Sequence, residues 1–191
     1  MEKKTQKFIN THIKKNPEKE IQLWFQDEAR FGQKGMVSKI WTLKGDRPTL
    51  YRQNGFKSAY FVGAVNPENG DKFTLIFDGL DTEIMNEFLK RISMHVEKNV
   101  HIIMLVDGAG WHRSEDIKIP ANITLYPFPP YSPELNAIER LWDYLKENFL
   151  SGRIFVDMEE IFDYGVRAWN PVDKKIIKSV CATSFELWST I

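Results

Sequence analysis

Apolar and polar residues along the chain follow two periods, one typical of β-strands and the other of α-helices. Short apolar runs predict strands; they occupy residues 21–27, 38–43, 59–65, 72–77, 101–106 and 123–126. The run at 101–106 is almost continuous, which is the pattern of a strand buried on both faces. Asn69-Gly70 lies between two of the runs and predicts a β-hairpin there.

Apolar residues spaced three and four positions apart predict several helices. These segments are residues 3–15, 82–97, about 132–150 and 157–169, and the tail to Ile191 has room for one more short helix. Ser132 is a favourable N-cap and Pro133 suits the first helical position, so the third helix is expected to open there and to end at Ser151-Gly152. Turns or irregular segments are expected at residues 30–35, 44–48 and 49–57.

The order of these elements predicts an α/β fold, with a mixed sheet and helices on both of its faces. An antiparallel meander comes first, and crossover connections of the βαβ type follow it. A length of 191 residues suits a single domain with a full core. We expect a basic helix or arm at about residues 1–19, the core of the fold at 20–170 and a C-terminal tail at 171–191.

The composition indicates a globular protein that does not enter a membrane. Hydrophobic residues make up 42% of the chain and aromatic residues 13%, as in a folded domain. No apolar stretch approaches the roughly 20 residues that cross a bilayer, and no signal peptide is expected after Met1. The single cysteine, Cys181, excludes an internal disulfide and a cysteine-rich zinc site, and it is expected to be a packed small residue. A reducing cytoplasm is the compartment that fits.

Charge is balanced over the whole chain but not locally. Lys and Arg together number 26, as do Asp and Glu, so the net charge is zero. This balance argues against a protein that binds nucleic acid through non-specific attraction alone. Residues 1–19, however, hold six lysines against two glutamates. This segment is either a solvated first helix or an arm that faces DNA.

Three acidic residues end or border apolar segments that are far apart in the chain. Asp27 closes the run at 21–26, Asp107 closes the run at 102–106, and Glu139 borders the buried stripe of the third helix. Each alone is readily explained as a turn residue or a solvated side chain. Together they predict a site for divalent cations, since hard cations bind carboxylate oxygen. Two such ions can neutralise the attacking and leaving oxygens of phosphoryl transfer.

Three motifs around these acids resemble one known family. They are Gln26–Gly32, Val106–His112 and Pro129–Trp142, with the sequences QDEARFG, VDGAGWH and PPYSPELNAIERLW. In this order they resemble the catalytic domain of bacterial insertion-sequence transposases of the mariner superfamily, the DDE group with a ribonuclease H-like fold. Trp41 and the segment 44–48 also resemble that family. The resemblance covers about residues 5–170 and implies a five-stranded mixed sheet with helices on both faces.

The resemblance also implies a catalytic site and its partners. Asp27, Asp107 and Glu139 match the family's metal-binding triad, which would hold two Mg²⁺ ions, with Mn²⁺ as a substitute. The implied activity is cleavage of DNA strands followed by strand transfer. It would act on the double-stranded DNA of transposon ends and target, as a homodimer on the DNA, in the bacterial cytoplasm and nucleoid. Secondary candidates are Arg30 and His112, as contacts to phosphate or ordinary packed and surface residues, and Asn136 within the third motif.

The sequence also departs from the family. Ala137 stands where the family usually has proline, and Gly108 stands where many relatives carry asparagine. Family members generally carry an N-terminal pair of helix-turn-helix units that bind the transposon ends, and the segment before residue 20 is too short for one. The chain is therefore expected to be a catalytic domain alone. Two alternatives stay open: a hydrolytic nuclease of the same fold that does not join strands, and a metal-free, DNA-binding remnant of a decayed element.

Three neighbours of the triad are expected to have other roles. Glu28 would point to the opposite face of its strand from Asp27, because successive strand residues alternate. Asp143 is expected to face solvent one turn beyond Glu139, and Trp142 is expected to fill the core.

Overall fold

The computed structural model describes residues 2–15, 17–34, 43–46, 53–107, 116–128 and 135–182. The strands are β1 (Glu20–Lys34), β2 (Asn54–Asn66), β3 (Asp71–Phe77), β4 (Val100–Val106) and β5 (Ile123–Pro127). The helices are α1 (Glu2–Lys15), α2 (Thr82–His95), α3 (Ala137–Leu145), α4 (Met158–Trp169) and α5 (Lys174–Val180). A π-helical turn at Lys146–Leu150 continues α3.

The described strands form one mixed sheet in the order β3-β2-β1-β4-β5. β1 and β3 are each antiparallel to β2, whereas β4 runs parallel to both β1 and β5. β1 therefore lies in the middle of the sheet, where the antiparallel meander meets the parallel crossovers. The predicted α/β fold with a five-stranded mixed sheet is confirmed.

Helices cover both faces of the sheet, as predicted. Side chains of a strand point alternately to opposite faces, and neighbouring residues of β1 accordingly enter different cores. Trp24 packs in the core that α2 covers, whereas Phe25 packs in the core formed with α3, α4 and α5. Every residue of β4 is buried between these two layers. Removing this apolar strand from water stabilises the parallel half of the sheet.

β1 extends further than the hydrophobic pattern predicted. Residues 30–34 continue the strand and pair with the start of β2, which includes residues 54–57. The predictions of a turn at 30–35 and of an irregular segment at 49–57 are therefore wrong for residues 30–34 and 54–57, which the structure describes. The ring of Phe31 stacks on that of Phe61, with centroids 4.3 Å apart, and such cross-strand packing stabilises a ladder that local propensity does not indicate. The predicted strand at 38–43 lies outside the described residues apart from Leu43, which is not in a strand.

α3 begins later than predicted. Ser132 and Pro133, its predicted start, lie outside the described residues, and the α-helix begins after Asn136, whose backbone is extended (φ −86°, ψ 106°). The helical segment ends before Ser151-Gly152, as predicted. The predicted apolar stripe is buried, and its members within α3 are Ile138, Leu141, Trp142 and Leu145.

The structure also bears on two expectations drawn from the composition, one about the single cysteine and one about membrane helices. Cys181 is a buried free thiol, as expected of a packed small residue, and burial raises its pKa to about 12. Within the described ranges, no helix combines the length and the apolar character that crossing a membrane requires.

Candidate active site

Asp27 and Asp107 lie at the same edge of the parallel half of the sheet. The pairing of β1 with β4 ends at Phe25 and Leu105, which are in register, and each aspartate follows two residues later. Asp27 does not end its strand, as the sequence pattern suggested, since β1 continues along β2 to Lys34. It lies where β4 stops. Adjacent strands are about 4.8 Å apart, so the register places the two aspartates side by side.

Both aspartates belong to the face of the sheet that α3 covers. Residues two apart on a strand share a face, so Asp27 follows Phe25 and Asp107 follows Leu105 toward this core. Glu139 lies in the first turn of α3, beside the buried apolar stripe. It shares a side-chain hydrogen bond with Asp27. Packing of α3 on the sheet thus brings two acids from distant parts of the chain into contact.

Burial and mutual repulsion make these carboxyl groups easier to protonate. Burial is the largest effect on Asp27, and repulsion from Glu139 and from the next residue of β1, a glutamate, adds to it. Together these effects raise the pKa of Asp27 to about 8, although hydrogen bonds from the backbone and from Trp142 act in the opposite direction. Burial likewise raises the pKa of Glu139, and the charges of Asp143 and Asp107 add to that shift. A hydrogen bond between two carboxyl groups requires a proton on one of them. Burial and the approach of the two carboxyl groups therefore favour a protonated form when no cation separates them.

The chemistry of these donors suits a hard divalent cation. Within the described ranges, no three His, Cys, Asp or Glu side chains are grouped tightly enough to enclose a metal ion. Asp27 and Glu139 touch, and Asp107 acts on Glu139 electrostatically. None of the described side chains that shift the pKa of Asp27 carries a positive charge. A cation beside Asp27 and Glu139 would relieve their repulsion, and carboxylate oxygens are the ligands that Mg²⁺ and Mn²⁺ prefer.

Two hydrogen bonds tie α3 and its N-cap residue to β1 beside Asp27. Asn136 Nδ2 donates to the backbone carbonyl of Gln26 over 3.1 Å. Trp142 Nε1 donates to Asp27 Oδ2 over 3.0 Å. Asn136 is 4% exposed, and its Oδ1 has no hydrogen-bond partner in the part of the chain that the structure describes. Sequence reasoning named Asn136 as a secondary site residue, and the structure places it next to the strand that carries Asp27.

Trp142 is the residue near the acids that sequence reasoning missed. It was expected to fill the core, and its ring is indeed buried. One signal for its second contact was present in the sequence. Trp142 lies three residues after Glu139, and residues at this spacing share a helix face.

Of the two remaining secondary candidates, Arg30 is not brought into this group of acids. Arg30 points to the opposite face of β1 from Asp27, and its Nε donates to Ser58 Oγ over 3.0 Å. A role for Arg30 in phosphate binding stays a prediction. His112 lies outside the described residues.

Two further acids near the triad are not part of the contact. Glu28 points to the opposite face of β1 from Asp27 and accepts a hydrogen bond from Gln26 Nε2 over 2.8 Å. Asp143 is exposed on α3, one turn beyond Glu139. Both positions agree with the sequence prediction.

This five-stranded sheet order, with helices on both faces, is the architecture of the ribonuclease H-like fold. A family model described as DDE superfamily endonuclease matches residues 22–161. The chain belongs to this family, and it is a DDE superfamily endonuclease domain. The family that the three motifs suggested is therefore confirmed.

Relatives in sequence include two bacterial proteins. The chain is 43% identical to the uncharacterized protein y4pE/y4sA of Sinorhizobium fredii over 112 residues, which cover 59% of this chain and 83% of that protein. It is 22% identical to the insertion element IS630 uncharacterized 39 kDa protein of Shigella sonnei over 129 residues, which cover 65% of this chain and 38% of that protein.

Solved structures of the Mos1 transposase share the fold. The Mos1 strand transfer complex matches with a TM-score of 0.67 and 16% identity, over 98% of this chain and 58% of that one. The Mos1 mariner paired end complex with Mn also gives a TM-score of 0.67, with 17% identity, over 98% of this chain and 59% of that one. The chain thus spans less than two thirds of the Mos1 chains. Its fold is similar to that of the matched part of the Mos1 chains.

Proposed function

We propose that this chain cleaves DNA strands and transfers the freed 3′ end to a target strand, using two divalent cations. Residues 1–191 would form one catalytic domain of an insertion-element transposase. The contact between Asp27 and Glu139, with Asp107 at the end of the neighbouring strand, is the observation that carries this proposal. Membership in the DDE superfamily endonucleases and the similarity of the fold to that of the Mos1 chains support it.

The three acids have complementary positions for this chemistry. Asp27 and Asp107 approach from the sheet and Glu139 approaches from α3, so that oxygen ligands come from two sides. Bound Mg²⁺ or Mn²⁺ would activate the attacking oxygen and stabilise charge on the leaving oxygen. The contact of α3 with β1 keeps the carboxyl groups of Asp27 and Glu139 together before any ligand binds.

Double-stranded DNA, both of the element's ends and of the target, is the proposed partner. The Mos1 structures that share the fold are a strand transfer complex and paired end complexes, which supports this choice. Pairing of two ends calls for two catalytic domains, so we propose a homodimer on the DNA. The lysine-rich segment 1–19 is the region that we expect to contact the phosphate backbone.

Mutation of the three acids tests the proposal. The assay incubates the protein with supercoiled plasmid and labelled DNA of the element's ends, with Mg²⁺, with Mn²⁺ or with a chelator. We expect nicked and joined products only with a cation, and none from Asp27→Asn, Asp107→Asn or Glu139→Gln. Asp143→Asn is the matched control, because this acid is exposed on the same helix. It should retain activity.

The products separate the alternatives. Cleavage without joined products would indicate a hydrolytic nuclease. Absence of both, together with no heat of Mn²⁺ binding that depends on Asp27, would indicate an inactive DNA-binding remnant. Full activity in Asp107→Asn would contradict the assignment of the site.

A further inference from the structure

We infer that Trp142 is a positioning residue of the catalytic site, whose indole N–H holds the Asp27 carboxylate in the orientation that binds a cation. This inference rests on the proposed function, since it assigns a role at the same site. It goes beyond the three acids, because Trp142 is neither a ligand nor a group that reacts.

The hydrogen bond from Trp142 to Asp27 is the first observation. Trp142 Nε1 lies 3.0 Å from Asp27 Oδ2, which is an ordinary length for such a bond. An indole nitrogen can only donate, so it stabilises an oxygen that carries negative charge. Occupying one direction around Oδ2 limits rotation of the carboxylate and leaves its other lone pairs for a cation. Outer hydrogen bonds of this kind orient metal ligands in proteins.

The ring of Trp142 is held rigidly, so its N–H has a defined direction. Phe61 stacks on it, with centroids 5.7 Å apart and planes 16° apart. Trp169 packs against the same ring, with centroids 6.1 Å apart. Trp142 is only 8% exposed. A donor fixed by packing on two sides loses little entropy when it binds the carboxylate.

β2 leaves space for this ring at the position opposite Asp27. The register pairs Asp27 with Gly63 across β1 and β2. A Cβ atom on residue 63 would lie 2.7 Å from Cη2 of Trp142 and 3.3 Å from its Cζ2. Any larger residue at this position would displace the indole. Gly63 of β2, which has no side chain, thus leaves space beside Asp27 for the large indole donor of α3.

A pure packing role is the competing explanation, and phenylalanine separates the two. Trp142→Phe keeps an aromatic ring in the core but removes the N–H group. We expect Mg²⁺ or Mn²⁺ to bind about 10-fold more weakly, the lower range for loss of an outer hydrogen bond to a ligand. Isothermal titration calorimetry with the metal alone measures this change.

Trp169→Phe is the matched control for that measurement. Trp169 is equally buried, at 8% exposure, and packs in the same aromatic cluster. Its ring lies beneath the Lys72 ammonium group, at 4.8 Å. Phenylalanine at position 169 keeps an aromatic ring against Trp142 and removes no donor to Asp27, so we expect it to weaken metal binding less than Trp142→Phe does. Equal losses in the two variants would assign both residues to packing and overturn the inference.

The indole N–H signal gives a second readout that packing alone would not move. In ¹H–¹⁵N spectra of the metal-free wild type, the Trp142 indole signal is the one that Trp142→Phe removes. We expect Asp27→Ala to shift this signal upfield, and Mg²⁺ to shift it in the wild type, while the Trp169 signal stays. An unchanged Trp142 signal in Asp27→Ala would overturn the inference even if Trp142→Phe folds poorly.

A substitution on β2 tests the same positioning of the indole N–H without changing a residue of α3. Gly63→Ala should weaken metal binding as Trp142→Phe does, because the added methyl group displaces the ring. Gly79→Ala is its control, since a Cβ atom there has no neighbour within 4 Å. If the wild type binds no metal, the proposed function fails. If it binds metal through Asp27 with normal affinity in both Trp142→Phe and Gly63→Ala, only the present inference fails.

Discussion

At the scale of single residues, the partial burial of two acids, one on β1 and one on α3, reduces the stability of the fold. Asp27 and Glu139 are partly buried, and each would be better solvated in the unfolded chain. Their raised pKa values show that the folded protein disfavours two negative charges there. Local arrangements that cost stability occur at functional sites, where a ligand offsets the cost. A bound cation is the ligand whose charge would do so here.

His101 is a second buried ionisable residue, and it lies away from the acids. It is 7% exposed on β4, and its Nε2 is 2.9 Å from Thr124 Oγ1. His12 of α1 lies beside it, with ring centroids 6.1 Å apart. Burial lowers the pKa of His101 below 6.5, and electrostatic interactions with His12 and Lys19 add to that effect. The folded protein therefore resists protonation of this ring.

We predict that this histidine makes the fold less stable in mild acid. Between the folded pKa and 6.5 the unfolded chain binds more protons at His101, so stability is lost as pH falls through this range. The slope stays below about 1.4 kcal/mol per pH unit, the value for one whole proton. Urea unfolding from about pH 7.5 to about pH 5.5 measures it.

The raised pKa of Asp27 acts in the opposite direction over this pH range and is common to the wild type and the variant His101→Gln. The contribution of His101 is therefore the difference in unfolding free energy between the two proteins, which should shrink as pH falls. His95→Gln is the control, because His95 is exposed on α2. The prediction is wrong if His101→Gln and the wild type show the same dependence on pH.

At the scale of secondary-structure elements, the β2–β3 hairpin packs against the start of α5. Gly70 lies in its turn with φ +80°, and its N–H donates to the Asn66 carbonyl over 2.8 Å. A Cβ atom on residue 70 would lie 2.8 Å from the backbone oxygen of Lys174. The ion pair between Lys174 and Asp71, at 2.7 Å, joins the same two elements. The hairpin thus helps to place α5 over the core.

We predict that Gly70→Ala destabilises the protein through two separate effects. The left-handed backbone costs an alanine roughly 1–2 kcal/mol. The close approach of Lys174 adds about 1 kcal/mol or more, because backbone atoms must shift. Gly152→Ala isolates the first effect, since residue 152 also has positive φ (+70°) but no atom within 4 Å of a Cβ. Equal losses of unfolding free energy in the two variants would contradict the contact with Lys174.

At the scale of the whole molecule, glutamine side chains join the end of β1 to the segment before α4. Gln33 Nε2 donates to the Phe155 carbonyl over 2.8 Å, and Gln53 Nε2 donates to the same carbonyl over 2.7 Å. The Phe155 N–H donates in return to Gln53 Oε1 over 2.9 Å. These bonds satisfy the backbone N–H and carbonyl of the buried Phe155, which lies in neither a strand nor a helix. They fasten the segment that follows α3 to the sheet.

We predict that Gln33→Ala lowers the free energy of unfolding by about 1–3 kcal/mol, because it removes buried hydrogen bonds and leaves space. Thermal or urea unfolding measures the loss. Lys34→Ala, at the exposed neighbouring position, serves as the control and should change stability by less than about 0.5 kcal/mol. A Gln33→Ala variant as stable as Lys34→Ala would show that these bonds contribute nothing.

Several features of the fold could be predicted, because they depend on the local pattern of apolar and polar residues. The near-continuous apolar run of β4 and the apolar stripe of α3 appear as buried elements. The acids Asp27, Asp107 and Glu139 stand beside such elements, and three motifs in series indicated the family that the comparisons confirm. Periods of two and of three to four report on local geometry, since each backbone conformation repeats its side-chain directions.

Other features depended on packing between distant segments. β1 runs to Lys34 because the Phe31 ring stacks on β2, and α3 begins after Asn136, which binds the Gln26 carbonyl instead of continuing a helix. Neither contact produces a periodic pattern of apolar residues in the sequence. Local propensity therefore placed both element boundaries wrongly.

The sequence by itself determined which elements form, which faces they bury and which acids could hold a cation. Only the tertiary structure decided that Asp27 meets Glu139, that Trp142 donates to Asp27 and that Gly63 leaves room for its ring. The reason is physical: hydrophobic burial is non-directional and is encoded by residue type and spacing. Contacts between side chains far apart in sequence require a particular register and close packing, which only the assembled core defines.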